Sequence, residues 1–99
     1  MMYVIIDLCI VPLGVGVSVS EYIAVCEKLI QQAGLSHHLH AYGTNIEGEW
    51  DEVMAVVKAC HEALHTMGVP RITTTMKMGT RTDKHQTIAH KVQSVQAKV

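Results

Sequence analysis

Tyr3 to Val11 is an Ile- and Val-rich stretch broken only by Asp7 and closed by Pro12 and the Gly14/Gly16 pair, an ending that suits a strand better than a helix. Both alternate faces of this strand are apolar apart from Asp7, so both need cover. Ser18 with Glu21 three positions on has the capping-box spacing. Val19, Tyr22, Ile23, Cys26, Leu29, Ile30 and Ala33 then recur at helical intervals up to Gly34, which predicts a helix over 19–33. His38 to Tyr42 and Thr44 to Glu47 are short runs meeting at Gly43, read as a tight hairpin of two strands. From Trp50 to Met67, Val53, Val56, Val57, Cys60, Leu64 and Met67 share one face, with Gly68 as stop and Pro70 beyond. Arg71 to Met78 alternates Ile72, Thr74, Met76 and Met78 against Arg71, Thr73, Thr75 and Lys77, a strand with one core face and one polar face. A final short helix is expected over 86–97 with Ile88, Val92 and Val95 turned inward.

The order βαββαβ plus a C-terminal helix predicts a single α/β (α+β) domain over residues 1–99. It fits a ferredoxin-like sandwich: a four-stranded antiparallel sheet with both main helices on one face and right-handed crossovers. The other sheet face would then be bare, yet the first strand makes it apolar. A monomer would expose a patch that soluble proteins rarely tolerate, so self-association, from homodimer to homotetramer, is expected.

Composition narrows the functional classes. With 48% hydrophobic and 17% charged residues the chain is too apolar for disorder and too interrupted by charge for a membrane span. Eight basic against nine acidic residues give a formal charge of −1, which offers no general grip on nucleic acid or an anionic membrane. The apolar start holds Asp7 and lacks a basic leader, so it reads poorly as a signal peptide and a cytoplasmic location is expected. Cys9, Cys26 and Cys60, an odd count without C-x-x-C, read as three small buried hydrophobes.

His61-Glu62-Ala63-Leu64-His65 is a literal H-E-x-x-H. At 100° per residue, however, both imidazoles fall on the flank of the helix, Glu62 points away and no third ligand follows at a familiar spacing, so no metal site is expected. His38 and His40 share a strand face while His37 points to the other, a two-ligand arrangement at most. On the bare face, Thr73, Thr75 and Lys77 lie beside Asp7, and any cover would withdraw them from water. They then either pair among themselves at a subunit interface, Lys77 with Asp7, or line a ligand pocket. Arg71, Arg81 and Lys84 flank the ends of the last strand and could hold sulfate or phosphate, Arg81 foremost because its loop adds Thr80 and Thr82. No Ser or Cys is set against a base, Ser18 being read as a cap, so nothing nominates an enzyme and no cofactor is expected.

Five segments in order resemble the thiamine-binding protein family. They are Val11-Pro12-Leu13-Gly14, Gly43-Thr44-Asn45-Ile46-Glu47-Gly48-Glu49-Trp50, His61-Glu62-Ala63, Met67-Gly68-Val69-Pro70-Arg71 and Arg81-Thr82-Asp83-Lys84. The resemblance implies a homotetramer of dimers whose sheets face each other, with thiamine or its hydroxymethylpyrimidine part bound between subunits and no known reaction. In that reading Glu47 accepts from the exocyclic amine of the pyrimidine, Thr73 and Thr75 orient the ligand, Asn45 adds an amide contact and strand 1 covers the ring. Gly79-Thr80 stands where acidic residues are frequent in the family, which leaves room for an anion. The alternative reading is a structural or regulatory oligomer that binds sulfate or phosphate near Arg81.

Overall fold

A computed structural model describes residues 1–99. The elements are β1 (Tyr3–Leu13), α1 (Ser20–Gln32), β2 (Ser36–His40), β3 (Gly43–Glu49), α2 (Trp50–Thr66), β4 (Arg71–Gly79) and α3 (Ile88–Gln96). The strands form one antiparallel sheet in the order β2-β3-β1-β4, and the fold is the ferredoxin-like one. Apolar β1 therefore occupies an inner position, where a strand with no polar edge belongs.

Alternation along β1 sorts its residues cleanly. Val4, Ile6, Leu8 and Ile10 are buried against α1 and α2, together with Ile30, Ile46, Val53, Val56, Cys60 and Leu64. Each fully buried Val, Ile or Leu contributes about 1.5–3 kcal/mol, so this single layer between sheet and helices is what the fold rests on. Gly34 (φ +73°) and Gly68 (φ +94°) end α1 and α2 in the left-handed region, which a side chain rarely adopts.

Several expectations need correction. Ser18 does not cap α1; Val19 stands at the N-cap with no side-chain bond, because the helix opens later than the spacing suggested. The capping side chain that does form at α2 is Glu49, which accepts from Asp51 N at 2.9 Å and Glu52 N at 3.2 Å. Strand β2 sits two residues earlier than predicted, since the turn uses Ala41 and Tyr42. Met67 lies past the end of α2 and is exposed, and Val57 is only half-buried where Val56 is buried.

The largest difference concerns α3. Val92 (49% exposed) and Val95 (63% exposed) do not turn inward, because the helix stands off the sheet with no core of its own. The radius of gyration of 14.6 Å exceeds the roughly 13 Å typical of a compact chain of this length. No helix is long and apolar enough to cross a membrane.

Candidate functional site

The sheet face away from α1 and α2 carries a polar row. His38 lies opposite Asn45, Asn45 opposite Asp7, and Asp7 opposite Lys77, one residue from each strand at the same level. Residues directly opposite in a sheet share a face, with Cβ atoms about 5 Å apart. Asp7 accepts from His40 Nε2 at 2.6 Å and from Asn45 Nδ2 at 3.4 Å. The expected Asp7–Lys77 pair is thus replaced by Asp7–His40, and Lys77 makes no ion pair. His40 reaches Asp7 because its strand neighbour is Gly43. A Cβ at Gly43 would stand 2.5 Å from the Leu8 carbonyl oxygen and 3.4 Å from His40 Cε1. The Tyr42 N–H donates to His40 Nδ1 at 3.3 Å, which leaves the ring proton on the nitrogen facing Asp7. The sequence does not single out His40 as this partner; its one cue is the face it shares with Asn45 across the hairpin.

Glu47 occupies the next level and is 4% exposed. Its carboxylate takes Tyr3 OH at 2.5 Å, Ser36 Oγ at 3.4 Å and the Ile88 backbone N–H at 3.2 and 3.3 Å. Burial, and then the hydrogen bond to Glu47, push the Tyr3 phenol up to about 12. The Tyr3 and His85 rings meet in a T-shaped contact with centroids 4.6 Å apart. Glu47 is therefore a latch that fastens the segment between β4 and α3 over the sheet, with its oxygens already satisfied from within the chain.

Between this strap and the sheet runs a cleft of about 900 Å³, lined by Tyr3, Ile5, Asp7, Asn45 and Lys77 below and by Gly79–Thr82, Lys84–Gln86, Ile88 and Lys91 at the rim. Of the residues expected to bind ligand, Asp7, Asn45 and Lys77 meet here. Thr73 and Thr75 share the face, opposite Val11 and Cys9, but are exposed and stand outside the cleft. Cys9 is half-buried on this face, so only Cys26 and Cys60 are buried thiols. Its hydrogen bond with Cys26, and then burial, push the Cys60 thiol up, which keeps it from acting as a thiolate.

The three expected anion ligands do not converge. Arg71 starts β4 and Arg81 follows its end, roughly 25 Å or more apart at about 3.3 Å per residue. The Arg81 guanidinium is occupied: Nε and Nη2 donate to the two Asp83 oxygens at 2.7 and 2.5 Å and Nη1 donates to Gln86 Oε1 at 2.7 Å. This pairing holds the Asp83 carboxyl down at about 2. Lys84 remains at the cleft rim. The H-E-x-x-H imidazoles also have partners, His61 Nε2 with Thr74 Oγ1 at 2.6 Å and His65 Nδ1 donating to the Val69 carbonyl at 2.8 Å, while Glu62 is exposed.

Residues 6–96 match the family described as thiamine-binding protein. The chain belongs to that family. It is 65% identical over 95 residues to the UPF0045 protein sll0230 of Synechocystis, covering 96% of this chain and 78% of that protein. The UPF0045 protein ECM15 of Eremothecium gossypii is 46% identical over 99 residues, covering 99% and 94%. Among solved structures of the same fold, the hypothetical protein MJ1052 of Methanocaldococcus jannaschii superposes with a TM-score of 0.90 at 31% identity, covering 97% of this chain and 98% of that one. Membership of the thiamine-binding family points to a small-molecule ligand.

Proposed function

We propose that this protein binds thiamine or its hydroxymethylpyrimidine part, as a phosphate ester, in the open-face cleft and does not transform it. The observation that carries the reading is the Asn45–Asp7–Lys77 row on the floor of a cleft of about 900 Å³, a size suited to a ligand of this class. Asp7, not the saturated Glu47, is the acceptor for the exocyclic amine of the pyrimidine, held in place by His40. Asn45 supplies the amide contact, and Tyr3 and Ile5 the apolar bed for the ring. Lys77, Lys84 and Lys91 around one carboxylate, with Arg81 neutralised by Asp83, favour a phosphate ester over the free thiazolium cation. A second copy laid on the open face would cover Val11, Leu13 and the apolar side of α3 and complete the site, and this supports the homodimer-to-homotetramer assembly implied by the sequence.

Calorimetry on the full chain with thiamine, hydroxymethylpyrimidine and their monophosphates tests the proposal. The monophosphates bind most tightly, and Asp7→Asn removes the response while the protein stays folded. At a hundredfold excess over Kd the ligand adds about 2.7 kcal/mol, several degrees in melting temperature for a domain this small. Absence of heat and of a melting shift with all four compounds overturns the reading.

A further inference from the structure

A second cavity lies at the corner where the amino end of α1 meets the β2–β3 turn. It measures about 730 Å³ and shares no lining residue with the open-face cleft. Its origin is in the sheet. β3 pairs with β1 only as far as Leu8 opposite Thr44, while β1 continues to Leu13, so that edge of β1 has α1 above it and no strand beside it. Ile10, Val19, Ile23, Ala24, Ile30 and Leu39 make its walls largely apolar.

Glu27 is the only carboxylate lining this corner, and no lysine or arginine lines it. Its Oε2 accepts from Thr44 Oγ1 at 2.8 Å, and Thr44 is itself buried in β3, so the carboxylate is anchored to a rigid strand. Its Oε1 has no donor within the chain. His40, also at the wall, has both ring nitrogens engaged by Asp7 and Tyr42 and is not free to neutralise Glu27. An apolar cavity with one oriented carboxylate and no lysine or arginine disfavours anions by charge and polyols by desolvation. A compact organic cation answers both conditions.

We propose that this corner is a second binding site, taking a small primary ammonium ion carried on a hydrocarbon or aromatic body. The ammonium donates to Glu27 Oε1, and the body lies against Ile23, Ile10 and Leu39. The proposal uses no lining residue of the open-face cleft, so it stands whatever that cleft binds.

Phenethylamine is the probe, titrated by calorimetry into the full chain near neutral pH, with 2-phenylethanol and 3-phenylpropionate as neutral and anionic counterparts. Saturable binding is expected for the amine alone, with amide shifts confined to residues 8–11, 17–30 and 39–44. Glu27→Gln weakens it at least tenfold while leaving the response to thiamine monophosphate intact. Ala24 is exposed at the mouth, so Ala24→Trp blocks entry without touching the core and gives the same loss should Glu27→Gln fold poorly. Equal binding of the three probes, binding that survives both substitutions, or shifts centred on Asp7 and Asn45 overturns the proposal. So does a change in sedimentation of the ligand-free Ala24→Trp protein, which would make the corner a contact between copies.

Discussion

The two faces of β1 are drawn from one apolar stretch and end in different physical regimes. On one side Val4, Ile6, Leu8 and Ile10 are at most 7% exposed under two helices. On the other, Tyr3, Ile5 and Asp7 are half-buried under a strap that touches the sheet through hydrogen bonds and one aromatic contact. The first face is held by volume, so its tolerance is set by packing. The second is held by a carboxylate with several donors, so its tolerance is set by which polar atoms stay paired. A face of this kind can change at less cost to the fold than the packed one.

Substitutions on either side break this contrast by different amounts. The largest effect belongs to Ile46→Ala, fully buried on the helix face: a loss of about 2–5 kcal/mol, read by urea unfolding. Glu47→Gln on the opposite face leaves a buried amide among donors and costs about 1–3 kcal/mol. It should also speed hydrogen exchange at the Ile88 amide while exchange in α2 follows only the global change. A comparable loss at every amide would show that the strap and the core unfold as one unit.

The Tyr3 phenol sharpens the contrast through pH. Its value in the folded protein is about 12, against about 10 for a free tyrosine. The neutral, hydrogen-bonded form therefore stabilises the fold fully below pH 10, and that contribution is lost as pH rises through 12. Tyr3→Phe should flatten the alkaline limb of a stability-against-pH curve in that window. The smallest effect is expected from Val92→Ser with Val95→Ser on α3: within about 0.5 kcal/mol for an isolated chain, by thermal melting at low concentration. If a second copy covers α3, the same double variant lowers the sedimentation coefficient at high concentration.

Much of this architecture is legible in the chain itself. The period-2 pattern of β4 and the helical period of α2 are imposed by burial against one layer, and burial writes itself into side-chain type. The same holds for Asp7 and Lys77, whose polarity on an otherwise apolar or alternating strand marks the open face. What could not be read depends on contacts between distant segments. Asp7 has two basic candidates, Lys77 opposite it and His40 one level away, and only the turn at Ala41–Tyr42 with the bare Gly43 decides for His40. Glu47 looks like a free ligand group until residue 88 is folded back onto it. The apolar spacing of Ile88, Val92 and Val95 is a helix signal with no information about which surface that helix meets.

The strap is fastened at Ile88 by a main-chain N–H, not by a side chain. Any amino acid except proline supplies that group, so the fastening itself makes no demand on the side chain at residue 88, and the cleft's demands on the helix that follows fall on Lys91 and Val92. Sequence drift in α3 beyond Val92 is then uncoupled from the cleft wall. For an engineer the splice point lies past Val92: an affinity handle or a foreign helix joined there inherits a roofed cleft, whereas Ile88→Pro should detach the roof with every side chain of the sheet left in place.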